Sequence, residues 1–294
     1  MPELFVSADA HAARARRRYV SFSALLLVFL VVAAVAGTTH LRFGESSIDW
    51  TQIIATAAFL LTAIVQSQFS ALKPEQAWFE ARAAAESVRT LAWRYAVCGT
   101  PFSADLPSEA ADPLFVGHLQ EIMRSLGNLP LTASSSDLQQ ITPWMRDLRR
   151  QPLAARIGTY QRFRLDEEQS WYAARAALNT RRARTWVAVM LTFEIVGALA
   201  ALLTGMGAMT IPIAGLAATV VAVATAWMRT NQHTSLASSY AMTARELAAV
   251  RLLLREGCSE EEWAAFVDTA EGTISREHTL WRSTRGPSAK SEML

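Results

Sequence analysis

The side chains that could do chemistry are few and scattered. The five histidines, His11, His40, His118, His233 and His278, share no spacing that would gather them. His118 and His278 fall in helical patterns, where a solvated or partly packed imidazole is the expectation. There is no HExxH, no GxSxG, no CxxC pair and no glycine-rich phosphate loop ending in lysine. Cys98 and Cys258 make no disulfide framework and read as reduced intracellular thiols. Nothing here argues for an enzyme, and no cofactor or metal is expected.

What remains is polar chemistry in apolar surroundings. Glu194 is the one ionisable group between Thr185 and Met228. An unpaired charge in a bilayer centre costs at least about 2.5 kcal/mol, so it must face protein or water or stay protonated. It reads as an ion-path or gating residue, or as a neutral acid hydrogen-bonded between helices. Gln52, Thr56, Gln66 and Ser70 fall on one narrow arc of a helix. That arc reads as a pore lining or as interhelical hydrogen bonding. Gly215, Ala218, Ala222 and Ala226 form a small-residue stripe that lets helices approach closely, which suits a homo-oligomer. The stretch with Arg146, Arg149, Arg150, Arg156, Arg162 and Arg164 is expected to be a solvated surface beside the membrane. Holding an anionic nucleotide or lipid headgroups is its second reading. Trp78, Trp93 and Trp144 could stack on a base, though Trp78 fits better into helix packing.

The elements that must position these groups are membrane spans. Hydrophobic residues make up 51% of the chain, and mean hydropathy is +0.16. The excess is gathered in blocks. Residues 19–41 and 50–72 carry no carboxylate, lysine or arginine. Residues 185–228 are too long for one span, and Gly205, Gly207 and Pro212 interrupt them. They read as helices over 185–204 and 211–228, with Pro212 in the first turn of the latter. Ala34-Val35-Ala36 fits a signal-peptide cleavage site, but the later block has the same flanks deep inside the chain. The first span is therefore expected to stay as a membrane helix.

Charge bias orients the spans. Arg14, Arg16, Arg17 and Arg18 precede the first, and Arg175, Arg181, Arg182 and Arg184 precede the third. Between the first two spans Arg42, Glu45 and Asp49 nearly cancel; between the last two there is no charge. Positive-inside then puts both termini and the central segment in the cytoplasm. A net charge of +2 gives no global field for nucleic acid, and none is expected as a partner.

Each hairpin is followed by a helical seam. Trp78, Ala81, Ala85, Val88, Ala92 and Tyr95 alternate by three and four, as do Tyr240, Thr243, Leu247, Val250 and Leu254. A shift of 162 residues lays Tyr240 on Trp78, Val250 on Val88 and Arg251 on Arg89. Cys98-Gly99 and Gly257-Cys258 close the two stretches, with glycine expected in the left-handed conformation. The chain thus reads as a tandem duplication and an all-α membrane protein. Its first hairpin unit covers 1–128 with a helix over 74–98, a linker 129–152 follows, and the second unit covers 153–294 with helices over 233–256 and 259–282. Ser259-Glu260-Glu261-Glu262 reads as a capping box before an apolar face of Trp263, Val267, Ala270, Ile274 and Trp281. Residues 112–126 read as a short amphipathic helix, 104–111 and 131–136 as loops, and the tail past Arg285 as loose.

Lys73-Pro74-Glu75 followed by Trp78, Arg82, Ala85-Glu86-Ser87, Arg89 and Trp93-Arg94-Tyr95 resembles the SLATT family of bacterial membrane hairpins with an appended cytoplasmic helix. Trp171-Tyr172 before the second hairpin, with Ser239-Tyr240 and Thr243 after it, resembles a second unit. That unit has Leu247-Ala248-Ala249 in place of the Ala-Glu-Ser signature. The resemblance implies an effector of bacterial conflict systems that forms pores in, or perturbs, the inner membrane. Its trigger would be a partner sensor protein or a nucleotide messenger. On this reading Glu194, Gln52, Thr56, Gln66 and Ser70 are the pore or gating candidates. Trp78, Arg82, Glu86, Arg89, Trp93, Arg94, Tyr240 and Arg251 are the signal-coupling candidates. The alternative is a non-conducting membrane scaffold that recruits a cytoplasmic sensor or enzyme.

Overall fold

A computed structural model describes residues 1–38, 48–125, 140–254 and 257–285, with the side chains of 125 and 276–285 left aside. The described residues are 86% helical, and no strand occurs among them. The helices are α1 (Glu3–Thr38), α2 (Trp50–Leu72), α3 (Pro74–Ala96), α4 (Ser108–Ser125), α5 (Pro143–Arg149), α6 (Leu153–Tyr160), α7 (Glu167–Gly205), α8 (Ile213–Asn231), α9 (His233–Leu252) and α10 (Glu260–Arg285). A π-helical turn, Gln161–Asp166, joins α6 to α7. Four helical stretches are long and apolar enough to cross a membrane. The loops at 39–47 and 131–136, the tail past Arg285, and the side chains of His40, His278 and Trp281 lie outside the described residues.

The chain folds into two compact units, each assembled from separated segments. The first takes Met1–Ala15, Glu75–Ala176 and Ser238–Leu294. Its core gathers the seam residues Ala81, Ala85, Val88, Ala92 and Tyr95 of α3 with Leu247 and Val250 of α9, all buried. Phe102, Phe115, Met145, Tyr160 and Trp263 fill the space between. Tyr95 packs edge-on against Phe115 at 5.2 Å, and Tyr160 against Trp263 at 5.6 Å. Such tilted pairs place ring edges on ring faces, the geometry that aromatic quadrupoles favour. The capping box forms as expected: the Ser259 amide donates to Glu262 Oε2 at 2.8 Å, and the Glu262 amide to Ser259 Oγ at 3.2 Å.

The second unit takes Arg16–Pro74 and Ala177–Ala237 and contains the spans. In the first hairpin Tyr19 and Phe22 at the start of the span lie against Phe69 near the end of α2, at 5.8 and 6.3 Å. The two helices are therefore antiparallel. Asp49 caps α2, accepting from the Thr51 amide at 3.1 Å. In the second hairpin Trp186 meets Trp227 at 6.4 Å. Gly197 lets α7 approach α8 closely, since a Cβ there would stand 3.1 Å from that of Ala217.

Some expectations shift. Pro212 precedes the first turn of α8 instead of lying in it, and α8 runs on to Asn231. The expected loop over 104–111 ends early, because α4 already starts at Ser108; Pro113 lies in its second turn, where it lacks the amide that would bond the Glu109 carbonyl. At the end of α3 it is Cys98, not Gly99, that takes the left-handed conformation, with φ 61°. Gly99 is needed for space: a Cβ there would stand 2.5 Å from Val267 Cγ1. Gly257 does have φ 75°, as the sequence leads one to expect. Both spans end on a left-handed residue that is not glycine, Lys73 (φ 39°) and Gln232 (φ 49°). Each donates its amide back into the helix it ends, to Phe69 and Met228. The duplication is thus visible in the backbone as well as in the seam.

Candidate functional site

The basic stretch divides in two. Arg146, Arg150 and Arg162 are accessible to solvent, as a solvated surface would have them. Arg149, Arg156 and Arg164 are buried, which corrects the expectation of a solvated run. Arg149 forks onto the chain that follows α3. Its Nη1 donates to the carbonyls of Tyr95 (3.2 Å) and Phe102 (2.8 Å), and its Nη2 to those of Ser103 (3.0 Å) and Leu106 (2.7 Å). Arg156 donates to the Val97 carbonyl at 3.0 Å and pairs with Glu260. The Trp263 indole donates to the same Val97 oxygen at 2.7 Å. Carbonyls at a helix C-terminus lack intrahelical donors and carry the negative end of the dipole. Two buried guanidinium groups satisfy them here, so these cations are fixed by backbone and are not open to a nucleotide.

Deeper in the same unit lies a chain of charges. Arg164 and Glu271 are both fully buried and meet through two bonds: Nε to Oε1 at 2.9 Å and Nη2 to Oε2 at 2.7 Å. Tyr160 donates to Glu271 Oε1 at 2.9 Å and Thr90 to Oε2 at 2.8 Å, so the carboxylate has four bonds. Arg164 also reaches Glu168 at 3.1 Å. Glu168 in turn pairs with Arg89, and Glu86 beside it binds Arg82 at 2.6 Å. Arg82 extends to Asp9 at 3.3 Å. Burial alone would lower the affinity of Arg164 for its proton, but Glu271 outweighs it and holds the guanidinium above its ordinary value. Burial pushes the Glu168 carboxyl up, against Arg164 and Arg89. The phenol of Tyr160 is driven well above its usual value by burial and then by Glu271. This network ties α1, α3, the π turn, α7 and α10 together. Buried ion pairs add little net stability over apolar packing, and their best-attested use is to fix a register or a switch.

The polar groups of the spans are placed in the opposite way. Gln52, Thr56, Gln66 and Ser70 are all exposed on α2, whose packed face is Thr51, Ala55 and Ala58. Glu194 is exposed on α7. Among the described residues the amides of Gln52 and Gln66 and the carboxyl of Glu194 have no hydrogen-bond partner. The Thr56 hydroxyl turns back on the Gln52 carbonyl at 2.8 Å. Gly215, Ala218 and Ala222 are exposed as well; α8 packs through Ala217 and Ala224. Among the described residues, none of these side chains hydrogen-bonds to another helix of the chain.

A family model described as SMODS and SLOG-associating 2TM effector domain 3 matches residues 2–157. A second, effector domain 1 of the same series, matches residues 160–281. The chain belongs to the SLATT family. It holds two SLATT domains in tandem and is a multi-pass membrane protein of the effector type found in conflict systems. No curated protein and no solved structure matches it.

The SLATT motif residues do not all meet. Arg82, Glu86 and Arg89 enter the charge network directly. Arg94 leaves it, pairing with Asp268 at 2.7 Å. Trp93 is buried, edge-on to Trp144 (5.4 Å) and Tyr160 (5.7 Å), which occupies the faces a base would need. Trp78 is half-buried and stacks on Phe79 at 4.7 Å. Tyr240 joins Trp171 and Tyr172 at 5.6 and 5.7 Å. Arg251 pairs with Asp166 at 2.8 Å on the surface. Sequence reasoning missed Thr90, Tyr160, Arg164, Glu168 and Glu271 as a group. A signal for part of it exists: Arg164 and Glu168 are four apart, and Glu271 interrupts the apolar face of Val267, Ala270 and Ile274.

Proposed function

We propose that this tandem SLATT protein is an oligomeric effector of the bacterial inner membrane, with both termini and the central segment cytoplasmic, that permeabilises the bilayer when a cytoplasmic signal reaches its first unit. One observation carries the reading. Gln52, Gln66 and Glu194 are exposed in the spans, and among the described residues none of their side chains has a hydrogen-bond partner. In hydrocarbon such groups require water or another protein surface. A ring of copies supplies both, with Gln52, Gln66 and Glu194 turned to neighbours or to a water-filled path. The arginine flanks support the orientation.

The signal enters through the charge network. A sensor protein or an anionic messenger that draws off one partner of Arg164 or Glu168 shifts the packing of α3 and α10 against α7. Packed helices repack between discrete arrangements, and α7 carries Glu194 in its span. No catalytic step is assigned to the chain. Reconstitution tests the reading: purified protein in liposomes passes ions or dye once triggered, and Glu194→Gln with Gln66→Leu reduces the flux. Tight liposomes under every trigger, with oligomers present, would favour the non-conducting scaffold.

A further inference from the structure

The second unit contains a cavity of about 520 Å³ that the pore reading does not use. Its lining divides by chemistry. Met190, Thr225 and Met228 make an apolar floor. Thr225 belongs to the floor because its hydroxyl is already engaged, by the Val221 carbonyl at 2.8 Å and Met190 sulfur at 3.4 Å. Arg229, Thr234 and Ser235 make a polar rim, and no carboxylate is among the lining residues.

Arg229 is exposed in the last turn of α8, and among the described residues it has neither an ion pair nor a hydrogen bond. The left-handed turn at Gln232 ends α8 and brings Thr234 and Ser235 round to the same cavity. Behind the rim, buried His233 is held by Asn179 at 2.9 Å and lies within the field of Arg182 and Arg16. An uncommitted guanidinium, the Thr234 hydroxyl and a positive surround select a phosphate oxyanion.

The apolar half selects what the phosphate is attached to. Met228 is the last residue of the fourth apolar run, so the rim sits where hydrocarbon gives way to headgroups and the methionines lie on the hydrocarbon side. Methionine adapts to irregular chains. We propose that this cavity binds the phosphate and glycerol of an anionic phospholipid, with the first acyl carbons on the methionine floor. The inference rests on the membrane placement of the chain and is independent of conductance.

Native mass spectrometry of the full chain, released from nanodiscs of phosphatidylcholine with and without phosphatidylglycerol, tests it. The wild type should retain phosphatidylglycerol through washing in neutral detergent. Arg229→Gln should lower that retention about ten-fold, as expected for one charge-assisted bond. Filling the floor with Met228→Trp should lower it with Arg229 intact. Arg17→Gln, an exposed arginine at the first span outside the cavity, should leave it unchanged. Thermal melting of each variant separates lost binding from lost folding. Equal retention by well-folded wild type and Arg229→Gln overturns the proposal. So does saturable binding of inorganic phosphate that displaces the lipid, since it assigns the cavity to a soluble phosphate.

Discussion

The two compact units treat polar groups in opposite ways. In the first, Arg164 and Glu271 are removed from water and bonded to each other twice, with further partners from α3, α6 and α7. In the second, Gln66 and Glu194 stand exposed in apolar helices, and among the described residues nothing answers them. Charges buried with partners hold one arrangement of helices. Polar groups exposed in a span leave the arrangement to be completed by water or by other subunits. Under the proposed function, the contrast assigns rigidity to one unit and assembly to the other.

Breaking the network should have the largest effect on stability. Glu271→Ala leaves Arg164 charged and buried, and should destabilise the first unit by about 3–5 kcal/mol. Replacing both with leucine should recover most of that loss, because the unpaired charge is gone. Denaturant melts of the detergent-solubilised chain, followed by tryptophan fluorescence, measure both. A single-variant loss under 1 kcal/mol would mean that the pair is not buried as described. Arg149→Leu should cost about 2–3 kcal/mol by removing the buried donor to four carbonyls between Tyr95 and Leu106, those of Phe102 and Leu106 having no other donor among the described backbone bonds.

The pH dependence sharpens the comparison, because its source lies in the first unit. Burial, and then its bond to Asp112, raises the Tyr95 phenol from 10 to about 12. A raised value in the fold means that the folded state holds the proton more tightly. Its stabilisation is present below pH 10 and is lost as pH rises toward about 12. Tyr95→Phe should flatten that part of the stability profile. Glu168 acts with the same sign at lower pH: its contribution is full below the ordinary carboxylate value and fades as pH rises through its raised one. Glu168→Gln should remove that slope.

The smallest stability effect belongs to the spans. Glu194→Gln and Gln66→Leu should change unfolding by no more than about 0.5 kcal/mol, since neither side chain has a partner among the described residues. Their effect should fall on oligomer formation and flux instead. A large loss of stability in the isolated protomer would erase the distinction between the units.

Much of the architecture is legible in the sequence. Hydropathy places the four spans because a bilayer demands roughly 20 apolar residues in a row, a local property. The alternation of three and four in α3 and α9 marks the faces that pack, again locally. The signature Ser-Glu-Glu-Glu names the start of α10 because a cap is made by neighbours in the chain. Arg149 and Arg150 look alike in sequence, yet one is buried on carbonyls and the other lies in solvent. Glu271 is written among apolar residues that give no hint of its partner 107 positions away.

The sequence by itself determined an all-helical, twice-repeated membrane chain, since length, hydropathy and caps act over a few turns of helix. Only the tertiary structure decided which arginines are structural, which carboxylates they answer and which polar span residues remain unanswered. Those outcomes depend on burial and on contacts between distant segments, and a charge has one meaning in water and another once water has been excluded.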